Sequence, residues 1–156
     1  MKLTISTKSP DDTIEWGKRI GKRLQPGDVI ALYGDLGAGK TTLTRGIAAG
    51  LELDADIHSP TFTLIHEHAG LIPLYHVDLY RLSGDDEVEF LGLEEYMYGD
   101  GVTIIEWADR MDSSLPVQRL DITLKMAGND IREMILRSDS ERIAAIIEAL
   151  NADSGN

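Results

Sequence analysis

Cysteine is absent from the 156 residues, which excludes disulfides and thiolate-held metal centres. No apolar run approaches the ~18 residues needed to span a bilayer. The polar stretch from Met1 to Asp12 lacks the apolar core of a secretory signal. Neither a membrane nor a secreted role is expected, and the composition suits a reducing cytoplasm. Basic residues are scarce after the first third. Residues 1–50 carry eight basic and five acidic residues, and residues 51–115 carry two and fifteen, within a net charge of −12. An acidic middle repels phosphate backbones, so direct binding to DNA or RNA is disfavoured. A small anionic ligand sits most easily in the first third.

With 42% hydrophobic and 27% charged residues, the chain falls in the globular range. We expect one domain over residues 1–150 and a polar tail over 151–156. Lys2–Ser6 reads as a short strand. Pro10, Asp11 and Asp12 open a helix with acids at its positive end. Ile14, Gly17, Ile20, Gly21 and Leu24 carry its spacing up to Pro26–Gly27. Val29–Tyr33 (VIALY) is an apolar run bounded by turn residues, as expected of a strand buried on both faces. Leu43, Ile47 and Leu51 mark a second helix. Phe62–His68 and Leu71–Asp78 read as two strands joined at Ala69–Gly70. The acidic stretch Asp85–Tyr98 is expected to hold short helices. Val102–Glu106 reads as a buried strand ending in a carboxylate. Leu120–Met126 and Ile131–Arg137 flank a hairpin turn. Ser138 and Glu141 have capping-box spacing ahead of a last helix. The alternation points to an α/β three-layer sandwich with a largely parallel central sheet and an additional antiparallel part.

Between the VIALY strand and the second helix lies Gly34-Asp-Leu-Gly-Ala-Gly39-Lys40-Thr41. It matches G-x-x-x-x-G-K-[ST] at every fixed position. Glycines let successive N–H groups point inward around an anion, and the helix start adds its positive end. Lys40 supplies a movable cation for the β- and γ-phosphates. The Thr41 hydroxyl suits Mg²⁺, which keeps most of its waters. The sequence has neither Asn-Lys-x-Asp nor Asp-x-x-Gly, so ATP is a better expectation than GTP.

Phosphate chemistry needs a further carboxylate near the metal and a group to orient the attacking oxygen. Ligands gather at the carboxyl ends of strands in open α/β sheets, which places Glu106 to face the metal. In His76-Val-Asp78-Leu-Tyr80-Arg81, residues 76, 78 and 80 would share a strand face, with Asp78 able to hold a metal-bound or attacking water. Ser59-Pro60-Thr61-Phe62-Thr63 lies where a switch loop would, and a hydroxyl there could reach the γ-phosphate or Mg²⁺. His66, His68 and His76 with Asp78 meet no classical zinc spacing. Trp16 and Trp107 read as packing residues, and Trp107, beside Glu106, would sense a nucleotide.

Taken in order, Gly34–Thr42 (GDLGAGKTT), Ser59–Leu64 (SPTFTL), His76–Arg81 (HVDLYR) and Ile105–Trp107 (IEW) resemble the bacterial TsaE family, also called YjeE. The likeness runs over roughly residues 10–110. It implies a small P-loop ATPase required for threonylcarbamoylation of adenosine 37 in tRNAs reading ANN codons. The ATPase would act with the TsaB–TsaD heterodimer, in which TsaD performs the transfer, and would meet tRNA only indirectly through that complex. By this resemblance Gly37, Ala38, Gly39, Lys40, Thr41 and Thr42 contact the phosphates, and Thr41 and Glu106 hold Mg²⁺. Asp78 is the catalytic or metal-assisting carboxylate, Thr61 belongs to the switch, Thr13 lies near the base, and Arg132 matches an arginine near the nucleotide. Phe62 stands where the family often has Tyr. An acidic protein that reaches tRNA through partners need not be basic. Two other readings fit the phosphate loop: a small-molecule kinase, and a nucleotide-gated binding module with incidental hydrolysis. A kinase of this size usually closes an arginine-rich lid, and residues 51–115 hold only Arg81 and Arg110.

Overall fold

The computed structural model describes residues 1–54, 56–58, 60, 64–82, 92–111 and 115–154. In chain order the elements are β1 (Lys2–Thr7), α1 (Pro10–Gly21), β2 (Val29–Tyr33), α2 (Lys40–Gly50), β3 (Ile65–His68) and β4 (Leu74–Asp78). Next come α3 (Leu93–Met97), β5 (Val102–Glu106), a 3-10 turn (Ala108–Met111), β6 (Leu120–Met126), β7 (Arg132–Arg137) and α4 (Glu141–Ser154). Seven strands form one sheet in the order β1-β7-β6-β2-β5-β4-β3. The core β6-β2-β5-β4 is parallel. β7, β1 and β3 add to its two sides through antiparallel pairings. The expected α/β fold with a parallel centre and an antiparallel part is therefore what the chain adopts.

Alternation along the central strands decides the layers. Ile30 and Leu32 of β2, Ile104 of β5 and Leu120, Ile122 and Leu124 of β6 pack beneath α1, α2 and α4. Val29, Ala31, Val77 and Ile105 face the other way, against Leu93, Met97, Ala108 and Met111. The VIALY run is thus covered on both sides, as its unbroken hydrophobicity requires.

Several boundaries differ from the sequence reading. β4 begins at Leu74 rather than Leu71 because Pro73 has no N–H to donate; its carbonyl still accepts from Val102 N at 2.8 Å. The capping box at Ser138 and Glu141 does not form. Ser138 extends the β1–β7 edge, its N–H donating to Met1 O at 3.1 Å and its carbonyl accepting from the Met1 ammonium at 2.9 Å. The helix therefore starts later, at Glu141, with Ser140 O accepting its first bond from Ala144 N at 2.8 Å. The polar stretch read as a tail carries the last turn of α4 through Ser154, where Asp153 accepts from Arg23 at 3.1 Å. Of the acidic stretch Asp85–Tyr98, α3 and its flanks fall within the described residues.

The start of α1 is built as its residues foretold. Ser9 caps it, its Oγ accepting from Asp12 N at 3.1 Å, and Pro10 takes a first-turn position. Ser9→Ala is expected to cost about 1 kcal/mol of stability, read as a lowered urea midpoint; an unchanged midpoint would show the cap to be idle.

Candidate functional site

At the carboxyl end of β2 the chain turns through residues 34–39 into α2. Gly37 and Gly39 take φ of 81° and 107°, angles that a β-carbon disfavours. No atom lies within 4 Å of where a Gly37 side chain would begin, so the loop is open on that side. Arg132, at the start of β7, braces it from the hairpin. Its Nε donates to Ala38 O at 3.1 Å and its Nη2 to Gly37 O at 3.4 Å. Nothing in the residues around Arg132 foretells these contacts; the family likeness alone had pointed to it.

Lys40 opens α2 and is buried. Its Nζ donates to Gly34 O at 2.6 Å and stands 3.8 Å above the Trp107 ring. Burial pushes its ammonium pKa down, while the carboxylates of Glu106 and Asp78 oppose that. These carboxylates arrive from two neighbouring strands. β4 and β5 run parallel with Asp78 opposite Glu106, so both side chains leave the sheet on the α2 face at its carboxyl end. Both are buried. A cleft of about 410 Å³ is lined by Gly37, Gly39, Lys40, Thr41, Asp78 and Glu106, with Leu36, Tyr80 and Trp107 around it. The fold thus joins three segments that are far apart in sequence: the loop, HVDLYR and IEW.

A second cavity, of about 90 Å³, lies on the other side of the loop. Thr13, Gly37, Gly39, Thr42 and Arg132 line it together with Pro10 and Asp130. Thr13 is held there by a 2.7 Å hydroxyl contact with Thr7. Thr13 and Arg132, expected near the base and near the nucleotide, thus face one space.

Residues 76 and 78 share a strand face as expected, but Tyr80 does not join them. β4 stops at Asp78, whose Oδ1 accepts from Tyr80 N at 2.9 Å and closes a tight turn. Tyr80 is turned outward, 47% exposed, with its ring 5.0 Å from Trp107. His76, on the same face as Asp78, is fully buried, its Nε2 lying 2.5 Å from Glu106 Oε2. A reading of single strands does not find this pair, because it depends on β4 and β5 being neighbours. Ser59 and Thr61 of the switch-like motif lie outside the described residues. His58, His66 and His68 meet ring to ring at 5.0 and 6.1 Å. Burial and mutual repulsion lower the pKa of His66 and His68. Among the described residues, no group of three or more His, Asp or Glu side chains is arranged to hold a metal ion. No described helix is long and apolar enough to cross a membrane.

Residues 7–134 match the family model for the threonylcarbamoyl adenosine biosynthesis protein TsaE. The chain is 45% identical over 151 residues to the tRNA threonylcarbamoyladenosine biosynthesis protein TsaE of Bacillus subtilis, covering 96% of this chain and 94% of that protein. The Treponema pallidum protein of the same name is 41% identical over 128 residues, covering 82% and 95%. The crystal structure of Bacillus subtilis YdiB superposes with a TM-score of 0.85 at 39% identity, covering 99% of this chain and 97% of that one.

Proposed function

This chain belongs to the TsaE family of threonylcarbamoyl adenosine biosynthesis proteins, and from that premise we propose that it is a Mg²⁺-dependent ATPase serving threonylcarbamoylation of adenosine 37 in tRNA. It works in the cytoplasm with the TsaB–TsaD heterodimer, does not itself transfer the group, and meets tRNA only through that complex. The observation carrying the reading is the single cleft in which Lys40, Thr41, Asp78 and Glu106 converge.

The donor set fits Mg²⁺. The side chains offered are a hydroxyl and two carboxylates, hard oxygen ligands at the end of a parallel sheet. Thr41 and Glu106 would hold the ion, with Asp78 beside them. When bound, Mg²⁺ neutralises charge on the β- and γ-phosphate oxygens. The open loop fits a triphosphate, because its backbone N–H groups and the start of α2 favour anions.

In this mechanism Lys40 turns its ammonium from Gly34 O to the β- and γ-phosphates. The amides of residues 37–42 hold the phosphate chain in place. Asp78 accepts a hydrogen bond from the attacking water and orients it toward the γ-phosphorus. Thr13 and Arg132 bind on the far side of the loop, toward the base. Thr61 completes the switch. Leu36 and Tyr80 stand on the rim, 65% and 47% exposed, apolar surface of the kind that partners cover. The surrounding acidic surface favours a basic face on that partner.

The deciding experiment measures phosphate release from ATP with and without TsaB–TsaD, alongside the t6A content of tRNA in a depletion strain. Slow release alone, faster release with the complex, and t6A loss on depletion are expected. Phosphate delivered to a metabolite instead of water would make it a kinase and end this reading. Glu106→Ala is expected to keep nucleotide binding and to lose hydrolysis by on the order of 10²-fold. Persistent hydrolysis in that variant would remove Glu106 from the metal site.

A further inference from the structure

His76 occupies a position where an aliphatic side chain would be expected. It lies on β4 between Leu74 and Asp78, and its ladder partner on β5 is Ile104, which in turn pairs with Ile30 of β2. All three aliphatic neighbours are fully buried, and so is His76. A polar ring in such a layer is costly unless its hydrogen bonds are made. Yet Nδ1 has no hydrogen-bond partner among the described residues. The imidazole makes one directed contact, from Nε2 to Glu106 Oε2. This is not the fully satisfied network that a stabilising polar core would use.

The contact also departs from simple ladder geometry. The residue opposite Glu106 is Asp78, not His76. The contact therefore runs diagonally across the two strands. A carboxylate can only accept, so Nε2 is the donor. One carboxylate oxygen is thereby engaged in the interior, and the other remains for the cleft that Glu106 lines.

We propose that His76 is a positioning residue: its Nε2–H pins Oε2 of Glu106, so that this carboxylate presents one oxygen, in one orientation, to the divalent cation of the nucleotide site. The inference rests on the reading of Glu106 as a metal-holding group. Partners of this kind behind metal ligands typically account for 10–100-fold in metal affinity.

The test is ADP binding, followed by calorimetry and by Trp107 fluorescence, across a range of Mg²⁺ concentrations and in EDTA. His76→Leu removes the donor and keeps an apolar filling. His76→Gln can place an amide N–H near the Nε2 position, and His76→Asn is too short to do so. In His76→Leu the Mg²⁺ concentration at half-effect is expected to rise about 10-fold or more, with ADP affinity in EDTA and thermal stability preserved. His76→Gln should recover most of the shift, and His76→Asn should not. Once Glu106 is alanine, His76→Leu should add nothing, the signature of two groups acting as one. A wild-type Mg²⁺ midpoint in His76→Leu, an equal defect in His76→Gln and His76→Asn, or an equal loss of ADP affinity in EDTA would overturn the proposal. Should His76→Leu fail to fold, the Gln and Asn variants decide alone. If wild-type ADP binding ignores Mg²⁺ altogether, the parent reading of the site falls, and this inference falls with it.

Discussion

Lys40→Ala is expected to lower ATP turnover by on the order of 10²–10³-fold, or to abolish ATP binding outright. The magnitude follows from removing a preorganised charge that meets developing negative charge in a buried site. Lys40 is the cation of the cleft, and its neighbours Asp78 and Glu106 are acidic. Without it, phosphates would approach two buried carboxylates with less positive charge to offset the repulsion. The ammonium is already held close to where it is needed, by Gly34 O at 2.6 Å and by the Trp107 ring at 3.8 Å. Little side-chain ordering remains to be done when the nucleotide arrives. Lys40 is buried, but its ammonium meets a loop carbonyl and one ring face rather than the apolar core, so the fold should survive its loss. The measurement is steady-state phosphate release with a calorimetric ATP titration, beside a thermal melt to show that the protein is folded. Wild-type turnover in a folded Lys40→Ala protein would refute the proposed mechanism.

Gly17→Ala is expected to destabilise the scaffold strongly through a single added methyl. α1 and α2 cross at Gly17 and Gly46. A β-carbon on Gly17 would sit 2.7 Å from Leu43 O and 2.8 Å from Gly46 Cα. Both are backbone atoms, which cannot swing aside as a side chain can. Gly21 and Gly50 continue the same close approach one turn on. The helices must therefore separate, and Leu43 and Ile47 lose part of their packing on the sheet. Overpacking of this kind costs about 3 kcal/mol, which for a domain of this size lowers Tm by roughly 6–12 °C. The effect extends to the site, because α1 carries Thr13 and α2 carries Thr42 into the lining of the second cavity. A thermal melt checks the first expectation. A melting temperature unchanged in Gly17→Ala would show that the helices yield more easily than their backbone contact implies.

Much of the site is legible along the chain because its chemistry is local. A phosphate loop needs glycines, a lysine and a hydroxyl within eight residues, and residues 34–41 supply all of them in order. The VIALY run announces a strand covered on both sides because no exposed strand is uniformly apolar. Glu106 is legible as a strand-end carboxylate by the same logic. The stripe of Gly17, Ile20 and Gly21 is visible as helical spacing, but its partner is not. That Gly46 and Gly50 lie opposite depends on how α1 and α2 cross.

The sequence by itself determined the glycine-rich loop ahead of Lys40, the alternation of elements and the identity of the two carboxylates, all properties of short segments with their own conformational preferences. Tertiary structure alone decided that β4 and β5 lie side by side in a register that sets Asp78 against Glu106. It also decided that His76 turns inward to Glu106 while Tyr80 turns out, and that Arg132 reaches Gly37 and Ala38 from a hairpin more than ninety residues away. The physical reason is that strand order and register are chosen by the burial of the whole sheet between its helices. No segment carries that information until the others are in place.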